Sequence, residues 1–406
     1  MTVKQLYLWE QDRYLSFAKQ IFDEKTIIHD IYPLFIHNPN PYKVSCYYLE
    51  KDGTIIASLL VTMSRQNVYG HYYDVPQIHF AGTLKEYRNH GYMDYLLNEC
   101  MKRFRKDSLF LCYLVGLPHF HRQFSFSYGV PSYQDESFSL DRNTLFSYPA
   151  DQTVSLLSSF SDTVLTQMIS LYEKDSFYNF GSERRTIESL RNKLTDESIV
   201  NNTCIYIACE KETSNLSGYV LIEKDKNQLL VKECITQSKV TCYALLHNIG
   251  LLLTKDSLDN AVFYSPQNSY VATLLREHTD MRLEHTFTSN CALYRILNIE
   301  SAISIIMPTL YLRLHHSNFA KHNGCYNLHI DEECITIEVK NGVIGLSFKQ
   351  GEDVFLTKEA FVEIFTGISS FASFSDSIPN LRTETKELFT VLFPVGYPYR
   401  FPLDCM

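Results

Sequence analysis

No window of this 406-residue chain approaches the roughly 18 apolar residues of a membrane span. The opening MTVKQLYLWEQDRY places polar and acidic residues where an export signal needs an apolar run. Neither a membrane nor a secretory route is therefore expected. The eleven cysteines include no CxxC pair and are scattered through apolar stretches, which suits buried thiols in a reducing compartment better than a disulfide framework. A cytoplasmic location follows as an expectation. A net charge of −9 argues against a broad nucleic-acid surface, although a local basic patch is compatible with it. The sequence also lacks G-x-G-x-x-G and G-x-x-x-x-G-K-[ST], so neither a dinucleotide fingerprint nor a triphosphate loop is written in it. Without H-E-x-x-H or a Cys/His finger spacing, His71, His79, His119 and His121, like the downstream His315, His316 and His322, read as packing or surface histidines. No metal is expected. G-x-S-x-G is missing as well, which weakens a hydrolase reading.

What is present is core material: 45% hydrophobic residues, with 28 Tyr and 26 Phe but one Trp. The length predicts two or three domains. Residues 5–36 carry helix-like periodicity in DRYLSFAKQIFDE and TIIHDIYPLF. KVSCYYLE and TIIASLLVTM flank Lys51-Asp52-Gly53, a hairpin signal. The pattern lapses at 145–155 and then repeats: helices at LTQMISLYEK and IESLRNKL, three strands up to QLLVKECI, a helix at VTCYALLHNIGLLL, a strand at NAVFYS and a short helix. A third region after 298 holds an apolar helix, strands around Asn341-Gly342, a helix at KEAFVEIFTGISS, and a tail whose Pro394, Pro398 and Pro402 favour an extended course over the surface, with aromatics that need cover by docking against another part of the protein. The expected class is α+β with mixed sheets.

The stretch Pro76–Ser127 carries the functional signal. A strand, PQIHFAGTL, runs through KEYRNHGYM into the helix-like DYLLNECMKRF, and a second strand, SLFLCYLVG, follows. A helix start leaves backbone N–H groups unpaired, so this turn outlines an anion site, with Arg88 as a positive charge and Gly91 free to adopt a positive φ. A helix joining two apolar strands also predicts a parallel crossover, which brings both strand ends to the same side as the helix start. In the second copy Thr236-Gln237-Ser238-Lys239 replaces the R-x-x-G element, so that copy is expected to be structural.

The segment AGTLKEYRNHGYM resembles the cofactor signature of the GCN5-related N-acetyltransferases, which reads Arg or Gln, two residues, Gly, one residue, then Gly or Ala. Arg88 and Gly91 match it, and Met93 departs at the last position. The whole layout is similar to the Eis-type (enhanced intracellular survival) acetyltransferases. The resemblance implies an N-terminal acetyltransferase domain (1–148), a degenerate second acetyltransferase-like domain (149–297) and a sterol-carrier-protein-like α/β domain (298–406). It implies acetyl-CoA as cofactor, with Phe80, Ala81, Gly82 and Thr83 along its acetyl and pantetheine portion. Arg88, Asn89, His90, Gly91, Tyr92 and Met93 would surround its pyrophosphate, with Lys85, Arg103 and Arg105 as candidates for outer phosphates. Where the family carries an acid tyrosine before F-G-[FY], this chain has Phe124-Ser125-Phe126, and the position falls on His121, with Tyr128 as a second candidate. The family's terminal carboxylate would be that of Met406. The implied acceptor is a primary amine on a small molecule or peptide, such as a polyamine, an aminoglycoside or a lysine side chain, and the implied assembly is a homo-oligomer, as large as a hexamer. The competing expectation is a non-enzymatic scaffold that binds CoA or an apolar ligand, motivated by the altered acid position and by Met93.

Overall fold

The computed structural model describes residues 2–6, 10–32, 34, 44–116, 121–132, 137–144, 146, 148–149, 151–195, 203–278 and 291–405. The chain opens with strand β1 (Lys4–Leu6), where the sequence suggested helix, and continues through helix α1 (Gln11–Ala18). Strands β2 (Val44–Lys51) and β3 (Thr54–Val68) form the expected hairpin, closed by Asp52 and Gly53 at φ 49° and 81°. Two successive positive φ angles match the right-handed twist of the flanking strands, which is why Asp-Gly sits there. Strand β4 (His71–Thr83) leads to helix α2 (Tyr92–Lys106), β5 (Leu111–Gly116) and β6 (Ser127–Val130). Helix α2 buries Leu96, Leu97, Cys100, Met101 and Phe104, a stripe at three- and four-residue spacing, against this sheet.

A second run of elements follows the same order. Strands β7 (Ser137–Asp141) and β8 (Gln152–Leu156) precede helices α3 (Asp162–Asp175) and α4 (Ile187–Thr195). Then come β9 (Thr203–Glu210), β10 (Leu216–Asp225), β11 (Gln228–Thr236), α5 (Lys239–Lys255), β12 (Asn260–Tyr264) and α6 (Tyr270–His278), ahead of β13 (Cys291–Ile296).

The first sheet has the order β1-β2-β3-β4-β5-β13-β6 and the second β7-β12-β11-β10-β9-β8. Each has one parallel pair made by a helical crossover, β4 with β5 through α2 and β11 with β12 through α5, and is otherwise antiparallel. The two sheets are therefore repeats of one plan, and they exchange strands. β13, from far downstream, inserts between β5 and β6, while β7, from upstream, pairs with β12. The sheet units are interleaved across the linear boundaries expected near residues 148 and 297.

The third region comprises helix α7 (Ile299–His315), strands β14 (Gly324–Ile330), β15 (Glu333–Lys340), β16 (Val343–Ser347) and β17 (Glu352–Leu356), and helices α8 (Lys358–Thr366) and α9 (Thr383–Leu392). Its four-stranded sheet has the order β16-β15-β14-β17, with Asn341-Gly342 turning the β15–β16 hairpin as expected. Its core is continuous with one face of the first sheet: Phe365 of α8 packs edge-on to Tyr69, Phe110 and Phe180, and Tyr69 Oη donates to the Phe365 carbonyl at 2.5 Å.

The proline-rich tail lies at the surface at Val395 and Tyr397 and then docks into the protein. Tyr399, Arg400, Phe401, Leu403 and Asp404 are buried, because the apolar side chains of this segment fill a seam on the second sheet beside α3 and α4. Among the described residues no helix is long and apolar enough to cross a membrane.

Phe365→Ala removes a fully buried ring that joins the third region to the first sheet. The expected cost is about 3–5 kcal/mol, combining lost transfer energy with the cavity left behind. Denaturant unfolding should report it as a lower midpoint.

Candidate active site

Strand β4 is the element that builds the site. It pairs with β3 along its length, but with β5 only at Gln77–Tyr113 and Ile78–Leu114, after which the two parallel strands diverge. On the β3 side the register passes from Leu60–His79 to Ser58–Gly82, so Phe80 and Ala81 stand opposite Leu59 alone. This is a β-bulge, and Phe80 takes a left-handed φ of 47° to form it. The bulge and the divergence together leave the β5-facing edge of residues 79–83 free of ladder partners.

The gap between the diverging strands is a cleft of roughly 830 Å³ whose far end is the start of α2. Gly91, at φ 75°, is the residue before that helix, and no side chain caps the helix N-terminus. A Cβ at Gly91 would touch nothing, so the glycine serves backbone conformation rather than space. Asn89, at φ 62°, gives the loop a second left-handed residue. Arg88 is exposed at the loop and donates from Nε to the Thr83 carbonyl at 3.1 Å, which ties the loop to the end of β4. The result is an anion-receptive helix start beside an open strand edge.

Phe80, Ala81, Gly82, Thr83, Arg88, Asn89, Gly91, Tyr92, Met93 and His121 all line this cleft. His90 does not; its Nδ1 lies 2.7 Å from the Arg88 carbonyl oxygen and its ring stacks on Tyr92. Tyr128 does not line it either. It is half-buried in β6, its ring faced by the Arg122 guanidinium at 5.3 Å. Met406 lies outside the described residues. Arg103 donates to the Val3 carbonyl and Arg105 faces Glu333 at 3.8 Å, so both are engaged along the body of α2 rather than at the cleft.

His121 stands at the opposite wall, close against β5: a Cβ on Gly116 would come within 2.8 Å of its Nε2, so this contact needs glycine. Burial lowers the His121 pKa below the ordinary histidine value, which makes the neutral ring the dominant form at neutral pH.

Five polar residues of the cleft, Gln77, His79, Tyr87, Asp94 and Gln123, were not assigned to it from the sequence. Gln77 and His79 alternate along β4 and so project from one face, together with Thr62, opposite Gln77, and Ser64, opposite Val75, on β3 and Tyr113 beside Gln77 on β5. Thr62 Oγ1 lies 2.7 Å from His79 Nε2, Tyr113 Oη donates to Gln77 Oε1 at 2.5 Å, and Ser64 Oγ donates to Tyr113 Oη at 3.3 Å. The available signal was polar residues at every second position of an otherwise apolar strand. Burial, with a smaller contribution from the Arg400 charge, pushes the His79 pKa down to about 4.

Residues 29–129 match the description "acetyltransferase (GNAT) domain". The chain is an N-acetyltransferase. Its cofactor is acetyl-CoA, and apart from Ile21 every residue lining the cleft falls inside the matched segment. No curated protein sequence matches the chain significantly. Solved structures share its fold throughout. A GCN5-related N-acetyltransferase from Kribbella flavida is 15% identical, with 98% of each chain covered and a TM-score of 0.72. A protein of unknown function from Enterococcus faecalis, named a probable N-acyltransferase, is also 15% identical, with 98% of each chain covered and a TM-score of 0.73. Eis1 from Mycobacterium abscessus is 12% identical over 98% of this chain and 99% of its own, with a TM-score of 0.66. The residues present suit acetyl-CoA: an open strand edge can receive a pantetheine amide chain, and an uncapped helix start beside Arg88 can receive a pyrophosphate.

Because its folded-state pKa is depressed, His79 should stay neutral until about pH 4 while the unfolded chain takes up that proton near pH 6.5. Its contribution to stability is then intact above about pH 6.5 and is lost as the pH falls through this window. An NMR titration of the His79 ring tests this; a midpoint near 6.5 would contradict the buried, Thr62-bonded placement.

Proposed function

We propose that the chain transfers the acetyl group of acetyl-CoA to a primary amine in an Eis-type arrangement. The observation that carries this reading is the bulged, splayed β4 beside the uncapped start of α2. The likeness to Eis1 over nearly the whole chain supports the three-part plan, with residues 149–297 as a degenerate acetyltransferase-like domain and 298–406 as a sterol-carrier-protein-like domain. Bound acetyl-CoA supplies a thioester: a C–N bond forms to the amine as the C–S bond breaks, one proton leaves the nitrogen and one reaches the sulfur.

Main-chain N–H groups of Phe80 to Thr83 hold the acetyl and pantetheine portion and polarise the carbonyl, a role that needs no particular side chain. The loop from Arg88 to Met93 holds the pyrophosphate. Between the two candidates for the proton to sulfur, His121 lines the cleft and Tyr128 does not. As an acid His121 must be protonated, and since burial lowers its pKa, a His121-dependent rate falls on raising the pH through a value below 6.5. The Met406 carboxylate is the acceptor for the amine proton. The acceptor molecule is a polyamine, an aminoglycoside or a lysine side chain, and the working form is a homo-oligomer, as large as a hexamer.

The decisive experiment measures acetyl-CoA binding by calorimetry and CoA release with a panel of those amines. Binding and amine-dependent release are expected, and no acetyl-CoA binding would remove the proposal. Arg88→Ala should raise the acetyl-CoA Kd about ten- to hundredfold, the range for losing a charge-assisted contact, while kcat at saturation changes little. His121→Asn should instead lower kcat about a hundredfold at unchanged acetyl-CoA affinity, and an unaltered rate would reject His121 as the acid.

A further inference from the structure

The C-terminal tail is buried among aromatic and aliphatic side chains, yet it carries charges into that seam. Tyr399, Phe401 and Leu403 belong to the apolar cluster on the second sheet. Between them Arg400 turns the other way, its guanidinium 5.1 Å from the centre of the Tyr113 ring in the first sheet. The tail therefore runs extended between the two sheets to Phe401, with Tyr399 and Phe401 toward the second and Arg400 toward the first, and then turns through a short 3-10 helix at Pro402–Asp404.

Its end is gripped from the second unit. Arg185, 3% exposed, donates from Nη1 and Nη2 to the two carboxylate oxygens of Glu233 at 2.7 and 2.6 Å, and from Nε to Asp404 Oδ1 at 2.9 Å. Its guanidinium lies flat on Tyr172, 3.6 Å from the ring centre, and Tyr172 Oη donates to the other Asp404 oxygen at 2.8 Å. Lys193 donates to the Leu403 carbonyl at 2.8 Å, and Arg400 donates to the Asp404 carbonyl and to Glu183. Burial opposes the charge on Asp404, but Arg185 and Lys193 overcome it and hold the carboxyl below its ordinary range.

The other side of this tail faces Tyr113, a buried residue behind the cleft. Tyr113, on which Arg400 rests, is bonded to Gln77, and Gln77 lines the cleft next to His79.

We propose that Arg185 is a positioning residue for acetyl transfer: by holding Asp404 against the second sheet it fixes the tail so that Arg400 stays on the Tyr113 ring, behind the cleft residue Gln77. The role rests on the acetyltransferase reading of the cleft. On this account the second unit, which has no anion loop of its own, serves the first by receiving the tail. Its N-terminal helix amides at α5 are already occupied by the Ser238 side chain, which accepts from Thr241 N–H.

The test uses the full chain with Asp404→Asn and, separately, Lys193→Met. Tail seating is read by hydrogen exchange of residues 394–405, cofactor binding by calorimetry with acetyl-CoA, and turnover as kcat and amine KM. With Asp404→Asn the tail should exchange about tenfold faster or more and kcat should fall by a similar factor, while the acetyl-CoA Kd stays within about twofold. Lys193→Met, whose side chain is 24% exposed and outside the Arg185–Glu233 contact, should move both in the same direction by less. A loosened tail at unchanged kcat overturns the proposal, and so does a lowered kcat with the tail still protected. If Asp404→Asn lowers the melting temperature of the whole chain, Lys193→Met decides, and an unchanged tail and kcat there overturns the proposal. A wild-type chain with a protected tail that acetylates no amine overturns the acetyltransferase reading, and the positioning role with it, while the seating itself stands.

Discussion

The site depends on β4 being held on one side and released on the other. A strand that pairs along both edges has no backbone groups to offer a ligand; one that pairs along neither does not keep its shape. Here β3 fixes β4 from His71 to Thr83, while β5 stops following it after Ile78. The bulge at Phe80 and Ala81 sits where the release begins. A non-glycine residue in the left-handed region costs about 1 kcal/mol or more, and the flanking pairs Leu60–His79 and Ser58–Gly82 are what hold it there. The open edge is thus maintained by the ladder around one strained residue.

That constraint explains why so much of the site was legible. Its elements are consecutive, and their signals are local: apolar alternation in β4, a glycine able to take φ 75° before a helix, and an amphipathic stripe on α2. Asp52-Gly53 and Asn341-Gly342 could be read for the same reason, since a tight turn is decided by the residues within it. Gln77 and His79 were in view but not interpreted, because the sequence does not show that their partners are Tyr113 and Thr62.

What could not be read is everything set by distant pairing. β13 lies between β5 and β6, and its partners at Leu111–Gly116 are far away in sequence; nothing in CALYRI names them. The short β8 was likewise hidden in the stretch 145–155 that reads as a boundary, β7 just before it carried no strand reading, and β1 is three residues long. The reciprocal exchange of β7 and β13 also binds the two sheets to each other. Neither sheet keeps its full set of strands if the other is removed, so the tandem plan is a single folding problem rather than two copies joined by a linker.

The tail was legible only in part. Three prolines rule out a regular helix and favour an extended course at the surface, while its aromatic residues call for cover against another part of the protein, and the second reading is the one that holds from Tyr399 to Asp404. Arg400 and Asp404 are charged, a type rarely buried. They are buried here as members of a bonded cluster, with Glu233, Glu183 and Arg185 as the counter-charges. Such a cluster adds little net stability over apolar packing of the same volume, since desolvation offsets the attraction. What it adds is register. Aromatic and aliphatic side chains such as Tyr399, Phe401 and Leu403 would accept a shift along the seam by two residues with modest loss, whereas a guanidinium forked onto Glu233 and bonded to Asp404 accepts one position. That contact fixes one register for the buried end of the tail, which the apolar seam alone would not provide.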